Sequence, residues 1–313
     1  MSRLRICVVS SSPLPAKRHQ GTERVIQWLM MEYCKSGHSV VLVSPGSPDI
    51  DKVRCIPAQN REQALMAIPG DVDIVHFHGW APDSDFDLPW IYTLHGNCDD
   101  LSALPGNTVC ISADHAARHG KSVFVHNGID PSELVYQERK QDHLLFFSLI
   151  RMKAKGADIA LRIARKYRQP MVFCGGSRLD LIKVGGLLDS FHPGIRFAGK
   201  VVGMEKAQHF ANARALLFPI RWPEPFGLVL IESLMSGTPV IARPSGSVPE
   251  LIPPEVGALF MDDDTFLQAL DHIRDCSPRA CREWAMSRFT SEICASNYVR
   301  LFERILNGED PFR

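Results

Sequence analysis

Two glutamates with seven residues between them, Glu224 and Glu232, flank the most informative stretch of the chain. Pro225 suits the first position of a helix and Gly237 suits the position after the last. The residues between them are apolar on nearly every side, which predicts a buried helix. A carboxylate in such a helix is costly unless a partner hydrogen-bonds it. The two acids are therefore the first candidates for a binding site.

The start of this predicted helix offers a second chemical feature. The free amides of Phe226, Gly227 and Leu228, together with the positive end of the helix dipole, attract phosphate. A helical rise of roughly 12 Å from Glu224 to Glu232 would fit a sugar at one acid, a diphosphate over the amides and a ribose at the other acid. These residues alone equally allow a structural helix in which Glu232 caps a neighbouring loop.

Basic residues follow a predicted strand in the second half of the chain. Arg151 offers paired donors to phosphate oxygens, and Lys155 offers a point charge. Lys153 competes with Lys155 for that role. A solvated basic loop is the alternative interpretation.

Histidines in the first half could bind a metal or a substrate. His76 and His78 share one face of a predicted strand, and His95 ends another. We predict no metal there, because no carboxylate or cysteine stands at ligand spacing. His95 by itself is most often a hydrogen-bonded structural residue.

The loop after the first predicted strand ends at a helix start. Gly21 lets a phosphate approach the backbone closely, and Thr22 could cap the helix. An ordinary strand–helix turn explains the same residues. The chain shows no P-loop, no H-E-x-x-H and no G-x-G-x-x-G after its first strand, so we predict no flavin, nicotinamide or other cofactor.

Apolar runs alternate with helical patterns along the whole chain, which predicts an α/β protein with parallel sheets and crossover helices. The expected strands are 4–11, 39–44, 73–78, 89–95, 108–112 and 123–126, then one from 143, 170–174, 195–199, 215–220 and 239–243. A length of 313 residues favours two domains. We place them at 1–136 and 137–289, with a charged linker near 137–142. The amphipathic tail 290–313 needs a partner for its apolar face.

Composition restricts the class of protein. The formal net charge is zero, so no extended basic surface for nucleic acid is predicted. The nine cysteines form no C-x-x-C pair, which fits a reducing cytoplasm. No apolar run reaches the length of a membrane span, although peripheral membrane contact stays possible.

The segment Glu224-Pro-Phe-Gly-Leu-Val-Leu-Ile-Glu232 resembles the E-x7-E signature of the family 4 retaining glycosyltransferases, and Gly237-Thr-Pro-Val240 after it also matches. The resemblance implies the GT-B fold, in which two doubly wound Rossmann-like domains face each other across a cleft and the last helix returns to the first domain. The site would then lie outside the carboxyl ends of the strands.

The resemblance also implies roles for individual residues. Glu224 would hold the donor sugar and Glu232 the ribose, with Phe226, Gly227 and Leu228 over the diphosphate. His95 would face the reacting sugar, and the backbone at Val201 would contact the base. Gly21, Arg151 and Lys155 would bind phosphate.

Two departures from the family pattern bear on activity. Gln20 stands where the family has the first glycine of a pair, and Ile150 stands where it has a glycine before Arg151.

The predicted function is sugar transfer from a UDP- or GDP-sugar to a carbohydrate, lipid-linked or small-molecule acceptor, with retention and without a metal. The alternatives are another GT-B enzyme, such as a sugar-nucleotide epimerase or a phosphorylase, and a nucleotide-sugar-binding protein that has lost activity.

Overall fold

The computed structural model describes residues 3–16, 21–46, 51–83 and 85–313. The chain divides into two compact units: Met1–Asp130 with Phe289–Arg313, and Pro131–Arg288. The division therefore lies between Asp130 and Pro131, whereas the sequence predicted it after residue 136. The charged run 137–142, predicted as the linker, belongs to the second unit.

Lys140 explains why this charged run is structural. Its Nζ donates to the carbonyl oxygens of Ala211 (2.8 Å) and Ser236 (2.9 Å) and to Oγ1 of Thr238 (2.8 Å). Two of these acceptors are carbonyls at helix ends, which otherwise lack partners. Lys140 thus ties the ends of two helices together.

The first unit contains a six-stranded parallel sheet in the order β3-β2-β1-β4-β5-β6. The strands are β1 Arg5–Val9, β2 Ser39–Ser44, β3 Val53–Pro57, β4 Ile74–Phe77, β5 Trp90–Thr93 and β6 Thr108–Val109. The α-helices described in residues 3–130 are α1 Gly21–Lys35, α2 Arg61–Ala67 and α3 Ala113–Arg118. Strands β1 and β4, at the centre of the sheet, are almost entirely buried.

The second unit repeats this plan with a parallel sheet in the order β12-β11-β10-β7-β8-β9. Its strands are β7 Leu144–Phe147, β8 Met171–Cys174, β9 Ile195–Gly199, β10 Ala215–Phe218, β11 Val240–Ala242 and β12 Gly257–Leu259. Its helices are α4 Ala157–Lys166, α5 Gly203–Asn212, α6 Leu228–Met235, α7 Val248–Leu251, α8 Asp263–His272 and α9 Pro278–Met286. Two sheets of this kind confirm the predicted doubly wound α/β architecture.

The structure and the sequence prediction disagree on whether a strand is present at three places, each at the edge of a sheet. The segment 123–126 forms only an isolated bridge, between Phe124 and Cys110. Strands β3 and β12 were not predicted. Both are edge strands with mixed exposure, so neither shows the continuous apolar run that marks a buried parallel strand.

The helix of the acidic signature begins at Leu228, and the prediction that Pro225 opens it is wrong. Glu224 instead pairs with Gly246 in a short parallel bridge. Gly227 then adopts a left-handed conformation (φ 81°) immediately before the helix. Because residues 224–227 are not helical, the predicted 12 Å rise between the two acids does not apply.

The end of α6 agrees with the prediction. Gly237 follows the helix with φ 79°, and its amide donates to Leu234 O at 2.9 Å. This is the left-handed position that glycine occupies after a helix end.

The last helix, α10 Ser291–Leu306, belongs to the first unit. Thr290 caps it by accepting from the Ile293 amide, and the helix packs on α1. Ser291 donates to Glu32 at 3.1 Å, and the Tyr298 hydroxyl lies 3.0 Å from Thr93 Oγ1. Within the described ranges, no helix is both long and apolar enough to cross a bilayer.

Candidate functional site

A charged cluster in the second unit contains Glu224. Its Oε2 accepts from Lys155 Nζ and from Trp222 Nε1, both at 2.8 Å. Lys155 Nζ also lies 4.6 Å from the centre of the Trp222 ring. The Lys155 and Glu224 side chains are only 16% and 12% exposed, so water screens this ion pair little. The lysine and the tryptophan thus share one carboxylate oxygen, Oε2.

The loop 243–250 fixes the backbone of Glu224. Ser247 N donates to Glu224 O at 2.9 Å, and Ser247 Oγ donates to Phe226 O at 3.0 Å. A Cβ at Gly246 would lie 2.3 Å from both the nitrogen and the oxygen of Glu224. Only glycine permits this approach, since φ at Gly246 is also positive (64°).

The two lysines in the basic turn after β7 have different surroundings. Lys155 reaches Glu224, whereas Lys153 is exposed and its carbonyl accepts from Arg221 at 3.0 Å. Arg151 is exposed on the same turn. Gly156 follows with φ 78°, and a Cβ there would lie 2.1 Å from Pro219 O.

Ile150, which replaces an expected glycine, is fully buried in the core of the second unit. The Ile150 Cβ packs against Gly176 so closely that a Cβ added to this glycine would lie 3.2 Å from it. The core of the second unit therefore accommodates this departure from the family pattern.

Glu232 lies in α6 and is only 1% exposed. Its Oε1 accepts from Nζ of Lys206, in the first half of α5, whose side chain is 12% exposed. Lys206 Nζ also lies 5.5 Å from the Phe147 ring centre, at the carboxyl end of β7. In this state Glu232 holds a lysine, so a ribose would have to share or replace that partner. Sequence reasoning missed Lys206, which carries no local signal of its role.

The remaining predicted donor-site residues of the second unit lie at the start of α6 and in the turn before α5. Phe226 is buried (1% exposed), Gly227 is buried and Leu228 is half-buried at the start of α6, which has no side-chain cap. Val201 is buried in the turn between β9 and α5. Because all these residues follow the carboxyl ends of parallel strands, they lie at one edge of the sheet.

His95 lies two residues beyond β5 in the first unit. Its Nε2 is 2.8 Å from His78 Nδ1, and the two rings stack at 5.0 Å. Burial, and secondarily the neighbouring His115, lower the pKa of His95 to about 4. His95 Nδ1 has no hydrogen-bond partner among the residues that the structure describes. His95 is therefore an uncharged imidazole at neutral pH with one unused nitrogen.

Two further histidines that sequence reasoning missed hold the loop after His95. His115 Nε2 lies 3.0 Å from Gly96 O, and His119 Nε2 accepts from Cys98 N at 3.0 Å. Their Nδ1 atoms are also engaged, at Ile111 N (3.3 Å) and His115 O (2.7 Å).

The same two histidines lie with Cys110 at distances that would suit a metal ion. Each imidazole, however, already uses both nitrogens for backbone groups. Burial raises the pKa of the Cys110 thiol to about 11, which disfavours the thiolate a metal requires. His115 and His119 therefore hold the loop that follows His95 in place.

Gly21 is the first residue of α1, so Thr22 lies inside the helix and does not cap it. Gln20, the departure from the family's glycine pair, lies outside the described residues.

Comparisons with known proteins agree with this architecture. Residues 141–275 match the family model described as glycosyl transferases group 1. An uncharacterized 41.2 kDa protein in the cps region of Klebsiella pneumoniae is 32% identical over 114 residues (34% of this chain, 32% of that protein). A phosphatidyl-myo-inositol mannosyltransferase of Mycobacterium leprae is 30% identical over 132 residues (39% and 34%). The chain spans about a third of the length of these curated relatives.

Solved structures match over nearly the whole chain. AviGT4, a glycosyltransferase involved in avilamycin A biosynthesis, has a TM-score of 0.82 at 22% identity, covering 97% of this chain and 98% of its own. Anabaena HepE, solved with UDP and glucose, has a TM-score of 0.69 at 13% identity, covering 96% and 100%. At these identities the structures establish the fold.

The two parallel sheets are thus those of a GT-B protein. The sequence resemblance to glycosyltransferases is supported over residues 141–275, which match the group 1 family model.

Proposed function

We propose that this protein transfers a sugar from a nucleotide diphosphate sugar to an acceptor, retaining the anomeric configuration and requiring no metal. The observation that carries the proposal is the Lys155–Glu224 pair, held beside the uncapped start of α6. Such a cluster places a cation and a carboxylate beside the first turn of a helix, whose dipole favours an anion.

Departure of the diphosphate builds negative charge, which preorganised donors stabilise best. In this proposal Lys155 and Arg151 contact phosphate oxygens, and the amides of Phe226, Gly227 and Leu228 point at the diphosphate. Gly21 would let a phosphate approach its backbone closely.

Glu224 supplies the carboxylate for the sugar. With Oε2 engaged by Lys155 and Trp222, its Oε1 accepts from a sugar hydroxyl and stabilises the positive charge that develops at the anomeric carbon. Glu232 binds the ribose hydroxyls after exchanging its bond with Lys206, and the backbone at Val201 contacts the base.

His95 acts as an uncharged hydrogen-bonding group on the reacting sugar, using its Nδ1. A pKa of about 4 leaves His95 uncharged at neutral pH, so it does not act on the leaving group as a cation. The acceptor hydroxyl attacks from the face that the diphosphate leaves, and a departing phosphate oxygen takes its proton.

A donor panel tests the proposal. UDP- and GDP-sugars are screened by thermal shift, and the stabilising donor is then incubated without acceptor. Binding at a hundred times Kd stabilises the folded state by about 2.7 kcal/mol. We expect one donor class to stabilise and to be hydrolysed slowly to the same anomer, as read by NMR. Stabilisation without any hydrolysis or transfer would indicate a binding protein, and no stabilisation by any donor would contradict the proposal.

A further inference from the structure

A cavity of about 290 Å³ lies in the second unit, away from the residues of the proposed donor site. His143 immediately precedes β7, while Arg151 and Lys155 follow the same strand at its other end. Arg196 on β9 and His209 in the last turn of α5 complete the basic side of the cavity.

The cavity holds one guanidinium that no acid in the described part of the chain neutralises, with two histidines beside it. Arg196 has no ion-pair partner among the described residues, and Arg214 stands next to the site. Two acids face these groups: Asp142 is 78% exposed and already paired with Arg214 at 2.7 Å, and Glu205 is exposed one turn before His209. Besides burial, Arg196 therefore disfavours protonation of both His143 and His209.

His143 provides an independent sign of a missing ligand. The residue is only 4% exposed, and its Nε2 has no hydrogen-bond partner among the described residues. A buried polar nitrogen without a partner is costly. Burial, and then Arg196, His209 and Arg214, lower the pKa of His143, so an anion in the cavity would raise it.

The other walls indicate what kind of anion fits. Gln141 and Asn212 offer amides that can donate or accept, and Phe197 offers a partly buried aromatic face. The volume of about 290 Å³ is roughly ten times the 30 Å³ that one water occupies in the liquid, which leaves room for a small anion. Arginine and imidazole suit the several acceptor oxygens of a phosphate.

We propose that this cavity binds a phosphate group, either free or as a small organic ester, through Arg196, His143 and His209. The site is separate from the donor site and does not depend on the reaction proposed above. Binding raises the pKa of both histidines, so affinity increases as the pH falls towards 6.

The test is a titration of the protein with inorganic phosphate and with glycerol 3-phosphate, observed through the histidine ring signals in ¹⁵N NMR. His143→Gln and His209→Gln assign the two rings. We expect both rings to respond and to show raised pKa values. Arg196→Gln changes an exposed residue, so the protein still folds, and it should weaken binding roughly tenfold or more. Tighter binding of the ester identifies an esterified ligand, and equal binding identifies the free anion.

Lys155→Met separates this cavity from the donor site, because it removes a phosphate-binding group of the latter. We expect the response of His143 and His209 to phosphate to stay within twofold in this variant. Unchanged ring signals in the wild-type protein, or equal phosphate affinity in Arg196→Gln, would overturn the proposal.

Discussion

At the scale of single residues, the pairing of Lys155 with Glu224 distinguishes two lysines that the sequence left as rivals. Lys155 is held by Glu224 and the Trp222 ring, whereas Lys153 is exposed. A charge held in place before a ligand arrives loses less entropy on binding than a mobile one. Lys155 is therefore the better placed of the two for a diphosphate.

Lys155→Met should weaken binding of a nucleoside diphosphate roughly tenfold to a hundredfold, from one lost charge-assisted bond of about 1.5–3 kcal/mol. Binding of the matching nucleoside should change little. Lys153→Met is the matched control and should leave both affinities within about twofold. Calorimetry with the two ligands measures this; a larger loss in the Lys153 variant would reverse the assignment.

At the scale of elements, the loop 243–250 sets the position of Glu224 and thereby the start of α6. The contact is backbone to backbone, through Gly246 and Ser247. A helix predicted from local signals began too early because this tertiary pairing extends the chain through residue 224. Sequence periodicity contains no information about a partner more than twenty residues away.

Gly246→Ala should displace Glu224, because the new Cβ would lie 2.3 Å from its backbone nitrogen and oxygen. We expect turnover to fall at least about tenfold, since a misplacement of about 1 Å costs on the order of a hundredfold. Gly37→Ala is the control: it has a similar positive φ (87°), but nothing lies within 4 Å of the added Cβ. That variant should lose about 1–2 kcal/mol of stability and no turnover. Equal turnover in both variants would refute the role of Gly246.

At the scale of the whole molecule, much of the fold follows from the sequence. The alternation of apolar runs and helices predicts two parallel sheets, and strands 39–44 and 195–199 agree with the structure to the residue. The edge strands β3 and β12 were not predicted, because their residues are of mixed exposure and form no continuous apolar run. The roles of Lys206, His115 and His119 could not be predicted. Each side chain binds a residue about twenty or more positions away, and no local sequence pattern marks these pairs. The roles of His95, Glu224 and Glu232 remain predictions.

The buried histidines make the stability of the protein depend on pH. Burial is the main cause that lowers the pKa of His95 and of His115 to about 4, whereas an unfolded chain protonates histidine near 6.5. The unfolded state therefore binds more protons between pH 6.5 and 4. The stability that the folded state gains from keeping these two imidazoles uncharged is complete above pH 6.5, and it is lost as the pH falls towards 4.

Each of these two histidines should lower the free energy of unfolding by about 2 kcal/mol between pH 7 and pH 5. Urea denaturation at the two pH values measures the change. The double variant His95→Asn, His115→Asn should show a smaller pH dependence. An unchanged midpoint between pH 7 and pH 5 in the wild-type protein would contradict the assignment of uncharged, buried imidazoles.

The central claim is that Glu224 and Glu232 flank a binding site for a nucleotide diphosphate sugar. The role of Glu232 is the part of this claim that most needs a test, because its carboxylate already binds Lys206. The most direct test is calorimetric titration of UDP and GDP into the wild-type protein, Glu232→Gln and the control Lys206→Met. The account predicts that Glu232→Gln weakens the preferred nucleotide at least about tenfold, while Lys206→Met keeps its affinity within about threefold. Equal losses in the two variants, or no loss in Glu232→Gln, would show that the pair is structural and would contradict the claim.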